Sequence, residues 1–284
     1  MFRRWQTACL AVLGALALAC EGAGRADTAR PAPDRDPRPG LPASMAALGD
    51  SITAGYGTCV TLVACRRNSW STGGGTRVDS HYRRILAESS AISGRGENFS
   101  VPGARAEALP GQARRAVRAG AEYVTILIGA NDACAGRVDH MTGVAAFRGH
   151  VDDALRTLKR GLPGARVLVV SIPDVHRLWE VGHDDPRAVR AWGRGVCQSL
   201  LANPTSTAGA DDRRRRQVRD RVDDYNRELV AACREYGDHC RHDGGRAHRV
   251  RFTLGLVNKL DYFHPNAEGQ QKLAEVTFPR RFTW

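Results

Sequence analysis

Two unbroken runs of aliphatic residues constrain the fold of this chain more than any other feature. They lie at residues 123–128 (YVTILI) and 166–172 (RVLVVSI). A half-covered strand alternates apolar and polar residues, whereas a continuous apolar run suits a strand buried on both faces. Residues 45–48 (MAAL) are a smaller candidate of the same kind, and residues 248–253 are a weaker one.

Two further segments repeat apolar residues every three or four positions, which predicts amphipathic helices. The residues are Phe147, Val151, Leu155 and Leu158 in the first segment and Val218, Val222, Tyr225 and Leu229 in the second. Strands that alternate with helices favour a parallel sheet sandwiched between helix layers. The four arginines at 213–216 are expected to form a solvated helix face. With no internal repeat in the sequence, residues 44–284 are predicted to be one α/β domain.

The first 19 residues have the pattern of a secretory signal peptide. Two arginines precede a small apolar run at residues 8–19, which is shorter than the about 20 residues of a membrane-spanning helix. An A-x-A sequence directly before Cys20 predicts cleavage there. Secretion is therefore expected, with lipid anchoring at Cys20 as the alternative. Residues 20–43 are rich in proline and arginine and are predicted to be a linker.

Export changes how the cysteines are interpreted. Besides Cys9 and Cys20, the chain has six: Cys59, Cys65, Cys134, Cys197, Cys233 and Cys240. An even number in an oxidising compartment indicates three disulfides, for which 15 connectivities exist. Short loops favour Cys59–Cys65 and Cys233–Cys240, which leaves Cys134–Cys197. The alternative for the last segment is zinc held by Cys233, His239, Cys240 and His242, although the usual C-x₂₋₄-C spacing is missing.

Composition narrows the classes of function. A chain with 42% hydrophobic residues is too apolar for an intrinsically disordered protein. The formal net charge is +12, from 42 Lys+Arg against 30 Asp+Glu, and such charge attracts polyanions in general. No nucleic-acid-binding motif accompanies it, so we expect no nucleic-acid partner. An anionic envelope surface or an anionic lipid is the expected partner of this charge.

A candidate nucleophile and its base occur at opposite ends of the domain. Ser51 directly follows the first strand candidate in Gly49-Asp50-Ser51, and ligands of open parallel sheets bind beyond the carboxyl ends of strands. A serine hydroxyl needs a base that a third group orients. Asp261 and His264, three residues apart, can meet on one side of a turn before a final helix that starts at Pro265. Each pattern alone also fits an ordinary turn or helix cap.

Two other residues could stabilise negative charge. Asn131 follows the strand candidate at 123–128, and Gly103 lies in another loop. The Asn131 amide and the Gly103 backbone N–H, together with the Ser51 N–H, would supply three donors to an oxyanion. Taken singly, these residues are a capping asparagine and a turn glycine.

Four segments, in this order, strongly resemble the SGNH (GDSL-type) hydrolase family. They are GDSITAG at 49–55, the block around Gly103, GAND at 129–132 and DYFH at 261–264. The resemblance implies that Ser51 is the nucleophile, His264 the general base and Asp261 the residue that orients it. It also implies that Gly103 and Asn131 complete an oxyanion hole with Ser51. In some members of the family a backbone carbonyl takes the place of the aspartate.

The same resemblance implies a three-layer α/β/α flavodoxin-like fold with a central parallel sheet, and hydrolysis of carboxylic esters without a metal or organic cofactor. The six-cysteine pattern is similar to secreted bacterial esterases and lipases of that family, which supports the sequential disulfide pairing. We expect a monomer whose substrate is a lipid or small acyl ester. The alternatives are an acyltransferase on the same scaffold and a non-catalytic basic cell-surface protein. Trp70, Trp179 and Trp192 are predicted either to line a substrate pocket or to pack in the interior.

Overall fold

The computed structural model describes residues 40–284. The predicted signal peptide at 1–19, Cys20 and the predicted linker up to residue 39 lie outside the described residues. Within residues 40–284, none of the helices combines the length and the apolar character needed to cross a membrane.

Five parallel strands form one sheet in the order β2–β1–β3–β4–β5. The strands are β1 (Met45–Gly49), β2 (Gly96–Asn98), β3 (Tyr123–Leu127), β4 (Arg166–Val169) and β5 (Cys240–His242). Every residue of β1 and β3 is buried, as expected for strands covered on both faces. The register pairs Gly49 with Leu127, so the segments after these two strands leave the sheet side by side.

Helices flank this sheet. The helices of the described part of the chain are α1 (His81–Glu88), α2 (Leu109–Arg118), α3 (Ala130–Ala133), α4 (Val144–Gly161), α5 (His176–Gly182), α6 (Pro186–Trp192), α7 (Gln198–Leu201), α8 (Gly209–Tyr236) and α9 (Ala267–Thr277). Helix α2 packs on α4, and α4 packs on α8. Helices α1 and α9 meet β3 through His81, whose ring nitrogens lie 3.0 Å from Tyr123 Oη and 2.9 Å from Thr277 Oγ1. The predicted three-layer α/β/α fold with flavodoxin-like strand order is confirmed.

The two amphipathic helices are confirmed, because all eight residues predicted to form their apolar faces are buried in α4 and α8. The solvated face expected at residues 213–216 is wrong for Arg215, which is only 2% exposed. Its guanidinium lies 4.3 Å from the centroid of the Trp179 ring, and its Nη2 donates to the Ser206 carbonyl at 3.0 Å. The apolar stem and the aromatic partner allow this arginine to turn inward.

The weak strand expected at residues 248–253 is wrong. That segment is a loop, and the fifth strand is β5, which precedes it. Val250 and Phe252 are buried although they are not in a strand. Their alternation with polar residues therefore reflects loop side chains that pack into the domain rather than a pleated strand.

The predicted disulfide pairing is confirmed. Cys59 pairs with Cys65, Cys134 with Cys197, and Cys233 with Cys240. The second bridge joins the end of α3 to the start of α7 across 63 residues. The third bridge takes up both thiols that the alternative zinc site would have required.

Candidate active site

A turn with a tightly constrained backbone places Ser51 just beyond the carboxyl end of β1. Gly49 has φ +146°, and a Cβ at this position would lie 2.1 Å from the Leu127 carbonyl oxygen, so only glycine fits. Gln112 of α2 holds the same residue: Gly49 N–H donates to Oε1 at 2.7 Å, and Nε2 donates to the Gly49 carbonyl at 2.9 Å. Ser51 is 5% exposed, and its surroundings are therefore well ordered by hydrogen bonds and close packing.

A continuous hydrogen-bond chain joins Ser51, His264 and Asp261. The Ser51 Oγ lies 2.9 Å from His264 Nε2, and His264 Nδ1 lies 2.7 Å from Asp261 Oδ2. The other carboxylate oxygen, Oδ1, accepts from the N–H groups of Phe263 at 2.9 Å and His264 at 3.1 Å. Because a carboxylate only accepts, Nδ1 carries the proton and Nε2 is free to accept from Ser51. The structure thus brings the three residues predicted from sequence into one chain.

The loop that carries His264 is fixed by contacts that sequence reasoning missed. Tyr262 adopts φ +52°, an unusual backbone conformation for a bulky residue. Trp192 Nε1 of α6 donates to the Tyr262 carbonyl at 3.1 Å, and Asn258 N–H donates to the His264 carbonyl at 2.8 Å. The Tyr56 ring packs against the imidazole of His264 with a centroid separation of 4.7 Å. These contacts set the position of the imidazole relative to Ser51.

The predicted oxyanion donors occupy two neighbouring segments. Asn131, at the start of α3, lines the same pocket as Ser51 and His264. One of its two amide hydrogens is donated to the Ala104 carbonyl at 3.0 Å, which orients the side chain and leaves the second hydrogen available. Gly103, next to Ala104, has φ +82° and is exposed. Gly103 does not line the pocket, and the neighbouring Ala104 connects its loop to Asn131.

A narrow apolar pocket opens beside Ser51. Its volume is about 30 Å³, enough for about two water molecules. The side chains of Val175, Leu178, Phe252 and Phe263 form its walls, and these residues were not found from the sequence because no motif marks them. Leu178 reaches this wall from the helix α5.

The three tryptophans take the packing role rather than the pocket role. Trp70 and Trp192 are fully buried, and Trp179 Nε1 donates to the Pro204 carbonyl at 2.8 Å. None of the three lines the pocket at Ser51. Their bulk was therefore a poor guide to the substrate site.

Two buried carboxyl groups lie next to the predicted oxyanion donors in the chain. Asp50 is completely buried, and burial raises its pKa to about 7, an effect that the Ile52 N–H opposes and the neighbouring Asp132 carboxylate adds to. Its Oδ1 accepts from Ile52 N–H at 2.8 Å, whereas Oδ2 has no partner among the described residues. Burial also raises the pKa of Asp132, although a hydrogen bond from Ala106 N–H opposes this. A proton on Asp50 reduces the negative charge behind Ser51.

Clusters of three or more His, Cys, Asp or Glu that could hold a metal are absent from residues 40–284. Ser51 and His264 are reactive groups that the described residues bring together at the pocket.

Comparison with known proteins gives one family. The model of the GDSL-like Lipase/Acylhydrolase family matches residues 47–272. No curated protein matches the chain significantly.

Several solved structures are similar to this chain at low sequence identity. One described as a GDSL-like lipase from Parabacteroides merdae ATCC 43184 is 17% identical, with a TM-score of 0.52 over 82% of this chain and 92% of that chain. An extracellular lipase from Streptomyces rimosus is 20% identical, with a TM-score of 0.43 over 82% of this chain and 97% of that chain. A phospholipase A1 from Streptomyces albidoflavus NA297 is 17% identical, with a TM-score of 0.45 over 82% of this chain and 97% of that chain.

Proposed function

The chain belongs to the GDSL-like lipase/acylhydrolase family, and from this premise we propose that it is a secreted serine esterase that hydrolyses carboxylic esters through an acyl-enzyme. The observation that carries the proposal is the continuous hydrogen-bond chain Ser51–His264–Asp261 at the mouth of an apolar pocket. A surface histidine beside a turn serine needs neither the buried carboxylate nor the pocket, whereas acyl transfer needs both.

Acylation starts with attack of Ser51 Oγ on the ester carbonyl while His264 Nε2 accepts the hydroxyl proton. The 2.9 Å separation of these atoms is within the reach of a general base. Asp261 stabilises the imidazolium that forms, and its two accepted backbone N–H groups keep the carboxylate in place. His264 then protonates the leaving alcohol, and the same base activates water for deacylation.

Charge on the tetrahedral intermediate needs preorganised donors. The second amide hydrogen of Asn131 and the backbone N–H groups of Ser51 and Gly103 are proposed for this role. Neither of these two backbone N–H groups donates a hydrogen bond within residues 40–284. Loss of one such donor lowers turnover by about 10²–10³-fold.

Pocket size supports a short acyl group as the preferred substrate. A pocket of about 30 Å³, with aliphatic and aromatic walls and room for about two water molecules, matches an acetyl group in size. A longer chain would have to displace Leu178 or Phe252, both of which are almost fully buried.

Export is part of the proposal. The signal-peptide pattern at residues 1–19 and the three disulfides both suit an oxidising compartment. Expression of the full chain in a secreting bacterial host, followed by N-terminal sequencing of the product, tests this part. A product that starts at or after Cys20 is expected, and one that retains residue 1 contradicts export by cleavage.

The enzymatic proposal is tested with a fluorophosphonate probe and a p-nitrophenyl acetate assay. Wild type is expected to react with the probe at Ser51 and to release p-nitrophenol, and Ser51→Ala is expected to do neither. Thr53→Ser serves as a matched control, because Thr53 is a buried hydroxyl residue of the same turn outside the hydrogen-bond chain. Product analysis with and without an added acceptor alcohol separates hydrolysis from acyl transfer. A folded wild type that neither reacts with the probe nor cleaves the ester contradicts the proposal.

A further inference from the structure

Most of the exposed large apolar side chains lie on segments that contain His264 or that hydrogen bonds join to it or to the turn of Ser51. Among residues 40–284, five large hydrophobic side chains are exposed: Val60 (91%), Val63 (52%), Val101 (45%), Leu260 (49%) and Val230 (45%). The first four lie on three segments near Ser51 and His264, residues 57–68, 99–105 and 254–264. We call these four side chains the apolar rim. Val230 lies on α8, away from these segments. Scattered apolar residues on a surface need no explanation, but a cluster at one site does.

Hydrogen bonds connect the three segments of the apolar rim. Gly57 N–H donates to the Val63 carbonyl at 3.0 Å, and Asn258 Nδ2 donates to the Gly57 carbonyl. These contacts hold the loop of Val60 and Val63 against the loop that carries Leu260.

A third contact adds the remaining segment. Arg66 Nη2 donates to the Ser100 carbonyl at 3.2 Å, and Val101 N–H donates to the Gly49 carbonyl at 3.1 Å, next to Ser51 in the chain. The rim therefore frames the carboxyl end of β1, where Ser51 lies.

The most exposed part of the rim is a closed loop rather than a loose one. The disulfide between Cys59 and Cys65 closes the segment that contains Val60 and Val63. The ring closure limits the conformations of this loop while Val60 and Val63 remain exposed to water. Binding through these side chains therefore costs little further conformational entropy. Such a loop is suited to insertion into an apolar phase.

The charge next to the rim is almost entirely positive. The three segments, residues 57–68, 99–105 and 254–264, contain four cations: Arg66, Arg67, Arg105 and Lys259. The acidic residue of these three segments is Asp261, which is buried and hydrogen-bonded to His264. Exposed apolar side chains flanked by cations match the acyl boundary and the negative headgroups of an anionic lipid layer.

We propose that the apolar rim docks the protein onto an anionic lipid surface, with Val60, Val63, Val101 and Leu260 in the acyl boundary and the four cations at the headgroups. A second copy of this chain is a poorer occupant, because pairing the rim with itself would bring its four cations against four more. Docking in this orientation turns the mouth of the pocket toward the lipid. That consequence rests on the proposed esterase function, whereas the docking itself does not.

Binding is measured in the Ser51→Ala background, so that turnover cannot change the vesicles and loss of esterase activity cannot be confused with loss of docking. The probes are vesicles of equal parts phosphatidylglycerol and phosphatidylcholine, and vesicles of phosphatidylcholine alone, in a sedimentation assay. The rim variant is Val60→Ser with Val63→Ser, and Val230→Ser is the matched control on another surface. Melting temperatures verify that the variants fold.

We expect binding to the anionic vesicles that salt weakens, weaker binding to phosphatidylcholine, and about a tenfold loss of affinity in the rim variant because two valines no longer leave water. The control is expected to bind like the parent. Equal affinities of the rim variant and the parent, an equal loss in the control, or no vesicle binding would overturn the proposal. A parent that self-associates in analytical ultracentrifugation, with self-association lost in the rim variant, would also overturn it in favour of a dimer interface.

Discussion

Replacement of Asp50 by asparagine tests the electrostatics directly behind Ser51. Asp50 is fully buried and its pKa is raised from 3.8 to about 7. Between these two pH values the folded protein keeps a proton that the unfolded chain has released. The free energy of unfolding therefore falls as pH rises from about 4 to about 7 and becomes level above that. Asparagine has nearly the shape of the protonated carboxyl and does not titrate, so the variant lacks this loss of stability.

The size of the effect follows from the shift. A rise from 3.8 to about 7 is about 3 pKa units, which corresponds to about 4 kcal/mol at 1.36 kcal/mol for each unit. His81 acts in the opposite direction, because burial lowers its pKa to about 3 and the unfolded chain binds a proton in acid that the folded protein does not. Between pH 4 and 6.5 the free energy of unfolding of wild type therefore contains a falling contribution from Asp50 and a rising one from His81, and the two nearly cancel.

The assay is urea unfolding of wild type and Asp50→Asn at several pH values from 4 to 8, with the disulfides intact. The quantity compared is the free energy of unfolding of the variant minus that of wild type, in which the His81 contribution cancels. This difference should increase by up to about 4 kcal/mol between pH 4 and 8. Asp238→Asn, at an exposed position, controls for the change of net charge. A difference for Asp50→Asn that stays constant with pH would refute the reasoning.

Three further outcomes are expected. Asp261→Asn should lower kcat for p-nitrophenyl acetate by about 10⁴-fold with little change in KM, because His264 loses the carboxylate that stabilises its imidazolium; unchanged kcat would mean that a backbone carbonyl can replace Asp261. Leu178→Ala should shift kcat/KM toward octanoyl over acetyl esters by about tenfold, because it enlarges the pocket wall, and unchanged chain-length preference would place the acyl group elsewhere. Removing the Cys134–Cys197 bridge, which spans 63 residues, should lower the free energy of unfolding by about 4 kcal/mol. Removing either short-loop bridge should lower it by about 2 kcal/mol. Equal losses in urea unfolding would contradict the loop-entropy argument.

The location of the site could be predicted because two strong signals coincide in it. The apolar run that forms β3 is long enough to be recognised as a buried strand, and the shorter run that forms β1 is a smaller candidate of the same kind. Both lead directly into reactive residues. These strands are neighbours at the point where the strand order reverses, which is where ligands bind in open parallel sheets. Ser51 after β1 and Asn131 after β3 had therefore to lie close together once the sheet was assumed.

The edges of the sheet could not be predicted for the opposite reason. Strands β2 (GEN) and β5 (CRH) have three residues each and carry polar side chains. Such short strands form because they hydrogen-bond to a neighbouring strand. The residues of that neighbour lie elsewhere in the chain, so the local sequence does not reveal the pairing. The sequence pattern instead favoured residues 248–253, where Val250 and Phe252 are buried by loop packing.

Substrate preference is hidden from the sequence by the same physics. The reactive residues must have particular chemical groups at particular strand ends, so short motifs record them. The pocket walls need only apolar bulk, which Val175, Leu178 and Phe252 supply from segments that come together through folding alone. Any buried aliphatic residue of the chain has the same local appearance in the sequence. In the proposed esterase, substrate specificity is thus set by the geometry of loops and of α5, and it can change while every proposed catalytic motif stays intact.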